Sequence, residues 1–319
     1  MAFSSFARHA RHAAVLSGGA TGLFAYSSTK CDAPVVESPV VAVAPVVVAK
    51  EQEDLYANLF PKRQLHVPKK EYPLWDANWD KRQPVPLKDK DEERQRQRLI
   101  RKTGTTRHVI MIRHGQYDET HKEDEKRVLT ELGREQADLT GKRIAEMMQT
   151  LQTHPCKVKL LVVSNMTRAK ETADIIARHI TDVERSDPDP LLNEGRPCHT
   201  IPGTKASEST IAKTDEGHER IEQAFEKYFY RADYDVDDDD QEESHEFEII
   251  VCHANVIRYL LCRALQMPPE AWLRFCNLNC SLTYLTIRPT GSVSCRMFWD
   301  IGHLPYSKST FSGHRGYNW

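Results

Sequence analysis

The stretch HVIMIR at residues 108–113 is a short apolar run that ends in a charged side chain. Such a run is typical of a strand that is buried on both faces of a sheet and brings polar residues to its carboxyl end. Two similar runs come later, LLVVS at 160–164 and FEIIVC at 247–252. Patterns typical of helices separate the three runs. This alternation predicts an α/β fold with an open, mostly parallel sheet covered by helices on both faces.

The helical patterns between these runs have their apolar residues at helical spacing. Thr130 is a predicted cap for the first helix. Near the end of the chain, Pro-Thr-Gly at 289–291 separates two apolar segments and predicts a hairpin at the sheet edge. The expected helices span about 130–148, 168–176, 216–231 and 255–265, and the hairpin spans 282–299.

Composition limits the classes of function. The chain has 319 residues, of which 39% are hydrophobic, which fits a globular core and excludes a protein with many membrane spans. The formal net charge of −2 gives no general attraction for nucleic acid. The charge-dense run at 88–102 is typical of a solvated helix or linker. We therefore expect no nucleic-acid partner.

The eight cysteines are dispersed and contain no C-x-x-C pair. This spacing favours reduced, partly buried thiols over a disulfide framework or a zinc site. No metal site is expected.

The N-terminal 31 residues contain no Asp or Glu, and residues 12–29 carry no Lys or Arg either. At 18 residues, this uncharged stretch is at the lower limit for spanning a bilayer. A secretory signal, a mitochondrial presequence and a retained anchor share these features, and a disordered tail is a further alternative. Because the cysteine pattern disfavours secretion, residues 1–31 are interpreted as a mitochondrial targeting or membrane-anchor segment.

Residues 32–104 are interpreted as a linker. The prolines within 33–50 keep that part extended. The linker also contains WDANWD at 75–80, where Trp75 and Trp79 lie four residues apart. Tryptophan is favoured at interaction surfaces, so this motif is either an interaction segment or an arm packed on its own domain.

Polar residues stand at the ends of the predicted strands. Arg113 and His114 end the first strand, Arg168 comes shortly after the second, and His253 comes directly after the third. Glu194 lies in a loop between them. In such sheets these strand ends meet at one edge. Two cations, two imidazoles and a carboxylate together are suited to phosphoryl transfer, which needs charge stabilisation, a nucleophile and a proton source.

The motifs at these positions resemble those of a known family. Arg-His-Gly at 113–115, LTELGREQA at 129–137 and SNMTRAKET at 164–172 resemble the histidine phosphatase superfamily, in its phosphoglycerate mutase branch. The resemblance covers about 106–302, with the catalytic domain expected over 105–302 and a C-terminal tail over 303–319. It implies a phosphoglycerate-mutase-like fold.

The resemblance also implies roles for the site residues. His114 is expected to become transiently phosphorylated, and Glu194 to act as the general acid. The residues expected to hold the phosphate are Arg113, Arg168, His253 and Asn255. Neither a metal nor another cofactor is expected.

Further motifs resemble the mitochondrial serine/threonine protein phosphatases of this family. They are HANVIRY at 253–259, CRALQMPPEAWLR at 262–274 and the WDANWD segment. The resemblance implies an anchor in a mitochondrial membrane, with the outer membrane favoured over the inner one. It also implies self-assembly into a homo-oligomer through Trp75, Asp76, Asn78, Trp79 and Asp80.

Two departures from the metabolic mutases favour hydrolysis over mutase activity. Gln116 stands where those enzymes usually carry Glu, and the stretch from Glu194 to His253 is shorter than theirs, which leaves the site less covered. The acidic residues within 233–248 predict a solvated, mobile loop. The expected substrates are phosphoserine and phosphothreonine proteins, with a kinase as a further candidate partner.

Two alternatives remain. A small-molecule phosphatase would act on sugar phosphates faster than on phosphopeptides. A membrane-tethered scaffold with secondary catalysis would still rescue a null phenotype after His114→Ala.

Overall fold

The structure is a computed structural model that describes residues 75–150, 156–180, 182–201, 203, 207–234 and 243–311. The chain divides into two units, and the described residues belong to the unit from Tyr72 to Trp319. The predicted anchor at 1–31, most of the predicted linker and the last eight residues lie outside the described residues.

One six-stranded sheet forms the centre of the described unit, in the order β3-β2-β4-β1-β5-β6. The first four strands in this order are parallel, and β5 and β6 are antiparallel to their neighbours. The strands are β1 (Thr106–Arg113), β2 (Cys156–Val163), β3 (Glu184–Arg185), β4 (His245–Cys252), β5 (Leu282–Ile287) and β6 (Val293–Asp300). The predicted mostly parallel sheet and edge hairpin are confirmed.

Helices cover both faces of this sheet, as predicted. They are α1 (Lys90–Thr103), α2 (Glu131–Thr150), α3 (Thr167–Ala177), α4 (Glu208–Tyr228) and α5 (Ala254–Ala264). Short 3₁₀ turns occur at Asp124–Lys126, Pro190–Leu192, Pro269–Arg274 and Tyr306–Lys308. None of the described helices has the length and apolarity that crossing a bilayer requires.

The apolar run of β1 serves two cores because successive strand side chains point to opposite faces. Val109 and Met111 pack with residues of α4 and α5, including Phe225. Ile110 and Ile112 pack on the other face with residues of α2 and α3. A continuous apolar run is therefore what a central strand between two helical layers requires.

Helix α4 begins eight residues earlier than the expected 216–231. Ser207 caps it, since its side chain accepts a hydrogen bond from the Thr210 backbone N–H. The first turns carry mostly polar residues, so hydrophobic periodicity does not mark them. The predicted cap on α2 is present, because the Thr130 hydroxyl accepts from the Gly133 N–H at 3.0 Å.

Residues 235–242 of the acidic run that predicted a solvated loop lie outside the described residues, and the prediction was wrong for the last residues of the run. Glu246 and Glu248 belong to β4, and Glu248 is buried. Its Oε2 accepts from Arg107 Nη2 at 2.5 Å. Arg107 also donates to the carbonyls of Tyr228 and Tyr230 at the end of α4. The ion pair thus joins β1, β4 and α4.

The packed body extends beyond both boundaries expected for the catalytic domain. On the N-terminal side, Trp79 Nε1 donates to the Gly291 carbonyl at 2.8 Å, and its ring lies 5.8 Å from that of Phe225. On the C-terminal side, the Lys308 carbonyl accepts from Gln136 Nε2 at 2.6 Å. Residues 303–311 therefore belong to the body, although the sequence predicts a tail from residue 303.

The WDANWD segment is held to the body mainly by a buried ion pair. The Asp80 carboxylate accepts from the backbone N–H, Nε and Nη2 of Arg231 at 2.7–3.1 Å. The side chains of Asp80 and Arg231 are 0% and 5% exposed. Within this chain the segment is therefore an arm packed on its own domain, the second of its two interpretations.

We expect Asp80→Ala to lower the free energy of unfolding by about 3 kcal/mol, because it leaves the Arg231 guanidinium buried without its partner. Urea denaturation measures the effect. Asp233→Ala is the matched control, since that carboxylate is 91% exposed in its ion pair with Arg82 and should matter by less than about 1 kcal/mol. Equal effects of the two substitutions would contradict the structural role of the buried pair.

Candidate active site

The carboxyl ends of three neighbouring parallel strands place the predicted site residues at one edge of the sheet. Directly after β1, the His114 N–H donates to the Cys252 carbonyl at the end of β4, at 3.0 Å. Directly after β2, the Ser164 N–H donates to the Val251 carbonyl, also at 3.0 Å. These bonds extend the sheet ladder by one residue and hold the three strand ends together.

His114 is buried with both ring nitrogens engaged. Its Nδ1 lies 2.8 Å from the Gly115 carbonyl, and its Nε2 lies 3.2 Å from Arg168 Nε. Because a carbonyl can only accept, Nδ1 carries the proton and Nε2 presents its lone pair. Burial holds the pKa of His114 well below its usual range, and the positive charges of Arg168 and Arg113 lower it further. His114 is therefore neutral, with a nucleophilic Nε2.

His253 faces His114, with ring centroids 5.0 Å apart. Its Nε2 lies 2.8 Å from the Ser164 hydroxyl, which donates its own proton to Asn193 Oδ1 at 2.8 Å. The hydroxyl therefore accepts from His253 Nε2–H. Among the described residues, nothing hydrogen-bonds to the buried Nδ1 of His253. Burial lowers the pKa of His253, followed by its electrostatic coupling to the titration of His114 and by the positive charges of Arg168 and Arg113.

Two buried guanidinium groups adjoin the imidazoles. Arg113 donates from Nη1 to the Asn277 carbonyl, and burial lowers its pKa to about 10. Arg168 donates from Nη1 to Asp124 Oδ1 at 3.4 Å, in addition to its contact with His114. Planar guanidinium groups bind tetrahedral oxyanions through paired N–H donors. The edge of the sheet is therefore suited to an oxyanion.

Glu194 is the carboxylate whose charge acts on both guanidinium groups. Burial raises its pKa, and the Gly195 N–H and the charges of Arg168 and Arg113 offset only part of that rise. A carboxyl group with a raised pKa can donate a proton nearer to neutral pH. Its loop is fixed to the start of α5, because Asn255 Nδ2 donates to the Gly195 carbonyl at 3.2 Å.

The structure thus brings together His114, Arg113, Arg168, Glu194 and His253. Asn255 contributes at least to the placement of the Glu194 loop. In contrast, Asp76, Trp79 and Asp80 of the motif contact the body elsewhere. Asp76, for example, exchanges hydrogen bonds with Gln266.

Sequence reasoning missed several residues that adjoin the site. Tyr117 lies edge-on to His114, with centroids 5.1 Å apart, and its ring also lies 4.7 Å from the Arg168 guanidinium. Arg258 donates to Asn255 Oδ1 at 3.0 Å and acts electrostatically on Glu194. The i, i+3 spacing of Asn255 and Arg258 on a helix that begins at the site was a usable signal. Tyr117 had no comparable signal.

Asp124 was also missed, and it caps α3 from outside the helix. Its Oδ2 accepts from the backbone N–H and the hydroxyl of Thr167 at 2.8 and 2.9 Å. Met166, at the N-cap position itself, supplies no side-chain acceptor. Asp124 therefore fixes both the first turn of α3 and the guanidinium of Arg168, the next residue.

No group of three His, Cys, Asp or Glu residues suited to a metal ion occurs in the part of the chain that the structure describes. In the same part of the chain, the cysteines at 198, 252, 262, 276, 280 and 295 are free thiols.

The chain matches a family model and is similar to named proteins. Residues 109–300 match the model of the histidine phosphatase superfamily, branch 1. The chain is 44% identical over 242 residues to the serine/threonine-protein phosphatase PGAM5, mitochondrial, of Xenopus tropicalis, which covers 73% of this chain and 82% of that protein. It is 42% identical over 247 residues to the human protein of the same name, covering 75% and 81%.

The chain is also similar to a solved structure. A phosphoglycerate mutase from Plasmodium falciparum is 37% identical and covers 63% of this chain and 96% of its own, with a TM-score of 0.43.

Proposed function

The chain belongs to the histidine phosphatase superfamily and, within it, to the family of the mitochondrial serine/threonine-protein phosphatases PGAM5, and we propose that it hydrolyses phosphoserine and phosphothreonine in proteins through a phosphohistidine on His114. The proposed phosphohistidine mechanism rests on the geometry at His114, whose Nε2 presents a lone pair beside Arg168. The substrate class rests on the named activity of relatives that share more than 40% of their residues over most of their length.

In the first half of the reaction, His114 Nε2 attacks the phosphorus, and the bond from phosphorus to the serine or threonine oxygen breaks. Arg168 Nε, which donates to this nitrogen before the substrate arrives, turns to an oxygen of the entering phosphate. Glu194 in its acid form gives its proton to the departing alkoxide. Its raised pKa keeps a larger fraction of this carboxyl protonated than an exposed glutamate would have.

In the second half, water attacks the phosphohistidine. The Glu194 carboxylate takes a proton from this water, the bond from phosphorus to Nε2 breaks, and inorganic phosphate leaves. The same residue therefore acts first as acid and then as base, which regenerates the starting protonation state.

Charge stabilisation comes from groups that already lie in the site before the substrate arrives. Arg113 and Arg168 supply N–H donors to the equatorial oxygens, in a region with little water to compete. His253 Nδ1 has no partner among the described residues, so a phosphate oxygen can take that position once the nitrogen carries a proton. A bound phosphate dianion favours this proton. Asn255 completes the proposed phosphate-binding set.

A mitochondrial location is inferred from the relatives' names. Anchoring of residues 1–31 in the membrane, with the outer membrane favoured, is part of the proposal and lies outside the described residues. A kinase is retained as a candidate partner, on the strength of the sequence resemblance alone.

Self-assembly through residues 75–80 is also proposed. Trp79 and Asp80 bind the body through a hydrogen bond and an ion pair, whereas the Trp75 side chain is 43% exposed. An exposed tryptophan on a fixed arm is suited to contact a second copy of the chain.

We expect His114→Asn in the full chain to lower phosphate release from a phosphothreonine peptide by at least about 10³-fold, because the nucleophile is removed. An acid-labile phosphoryl group should be trapped on the wild type only. His121→Asn, at a partly exposed histidine seven residues away, is the control and should retain activity. Full activity of His114→Asn would rule out the phosphohistidine.

Glu194→Gln should lower kcat/KM for a phosphothreonine peptide by about 10²-fold or more, since an alkoxide leaving group needs a proton. The loss for p-nitrophenyl phosphate should be much smaller, because nitrophenolate leaves without one. Glu226→Gln, on the exposed side of α4, is the matched control. Equal losses for the two substrates would show that Glu194 does not protonate the leaving group.

We expect Trp75→Ala to lower both the sedimentation coefficient and the activity while the melting temperature changes little. Trp79→Ala should lower the melting temperature as well, because its ring packs on Phe225. Val85→Ala removes another exposed apolar side chain from the same region and serves as the control. Unchanged sedimentation of the Trp75 variant would refute its role in assembly.

A further inference from the structure

Arg127 is a cation beside the active site that the mechanism does not use. It comes directly after the 3₁₀ turn at Asp124–Lys126, in the loop between β1 and α2. Its Nη2 donates to the Tyr117 hydroxyl at 2.7 Å, and its guanidinium lies 4.8 Å from the centre of that ring. Tyr117 in turn contacts His114 edge-on at 5.1 Å. One aromatic ring therefore separates this guanidinium from the nucleophile.

The charge of Arg127 has no direct counter-ion within the described part of the chain. The described ion pairs include no partner for Arg127, and its buried Nε has no hydrogen-bond acceptor. By contrast, neighbouring Lys126 lies on the surface near Glu123. Partial burial of a guanidinium group with an unused N–H donor costs free energy of folding unless an anion binds there. Its charge also acts on both His114 and Arg168.

Space for a substrate chain adjoins this cation. A cavity of about 580 Å³ is lined by Tyr117 and by Val128, the residue next to Arg127. Thr310 and Phe311 also line it. Tyr117 both lines this cavity and contacts His114 edge-on, so the cavity borders the ring that lies between His114 and Arg127.

We propose that Arg127 binds a second anionic group of the substrate, carried by a residue within three positions of the phosphorylated one. An extended peptide advances about 3.3 Å per residue, so such a group can span the two ring contacts between His114 and Arg127. The anion is the carboxylate of Asp or Glu, or a second phosphate. The inference rests on the proposed protein phosphatase function and specifies its substrates as phosphosites with an acidic neighbour.

Two acidic residues that also line the cavity limit the substrate positions at which an acidic residue is favoured. Asp118 accepts from the backbone N–H and hydroxyl of Thr120 and lies 3.7 Å from His121. Glu119 acts electrostatically on Arg113. An acidic substrate residue is therefore favoured only at the positions that reach Arg127, and disfavoured where the peptide passes Asp118 and Glu119.

The test uses the full chain and a set of phosphothreonine peptides with neutral flanks. A single aspartate is placed in turn at each of the three positions before and after the phosphothreonine, and a doubly phosphorylated peptide carries phosphoserine at the preferred position. We expect aspartate at one or two positions on the same side to raise kcat/KM by about 5-fold to 10-fold, mainly through KM, as a charge-assisted hydrogen bond would. The second phosphate should raise it at least as much, and high salt should reduce both effects.

The substituted enzymes are compared through the ratio of kcat/KM for the acidic and the neutral peptide, which cancels any general loss of activity. Arg127→Gln should bring this ratio to about 1, and Arg127→Lys should retain part of it as a point charge. Lys126→Gln removes the same charge from the adjacent residue and should leave the ratio unchanged. A response to the second phosphate but not to aspartate would restrict the site to phosphate.

A ratio near 1 at every position in the wild type would overturn the inference, as would an undiminished ratio in Arg127→Gln. In either case, hydrolysis of the neutral phosphopeptide would leave the proposed function standing. If the wild type hydrolysed p-nitrophenyl phosphate but none of the phosphopeptides, the proposed function itself would fail, and the inference with it.

Discussion

Burial of positive charge beside two imidazoles is the constraint on which this structure depends. Arg113 and Arg168 are each 3% exposed, and the histidines between them are more deeply buried still. Moving a charge out of water is costly, so it is tolerated only where surrounding groups compensate. Here Glu194 supplies part of the compensation, and an entering phosphate would supply more. Because the guanidinium charges and burial act in the same direction, the histidines stay neutral and His114 retains its lone pair.

The surrounding structure holds these groups against that cost. Asp124 caps α3 and contacts Arg168, while Ser164 and Asn193 orient His253. Close backbone approach contributes as well. A Cβ on Gly133 would lie 1.9 Å from the Gln116 carbonyl oxygen, so only glycine lets α2 begin directly against the segment after His114. The segment after His114 and the first turn of α2 are thus packed closely against each other.

Local sequence patterns predicted much of the fold, and the predictions that were wrong have physical causes. Apolar runs located the three central strands because those strands are buried on both faces. Helix α4 was predicted too short because its first turns bury little apolar surface. Glu248 was misplaced because its partner, Arg107, lies 141 positions earlier in the chain. The same holds for residues 75–80 and 303–311, which contact the body through residues that no local pattern connects to them.

The sequence by itself determined the strand-and-helix alternation and the parallel centre of the sheet, because both depend on local periodicity. It also determined the polar residues at the carboxyl edge of the sheet, because these are the residue types directly after each strand. It also indicated that Arg113, His114, Arg168 and His253 lie near one another, since adjacent parallel strands end at a common edge. Only the tertiary structure decided which nitrogen of each histidine faces the site, which carboxylate caps α3, and that Tyr117 contacts His114 while Arg127 contacts Tyr117. These features arise from contacts between segments far apart in the chain, where distance and burial, rather than residue order, set the energy.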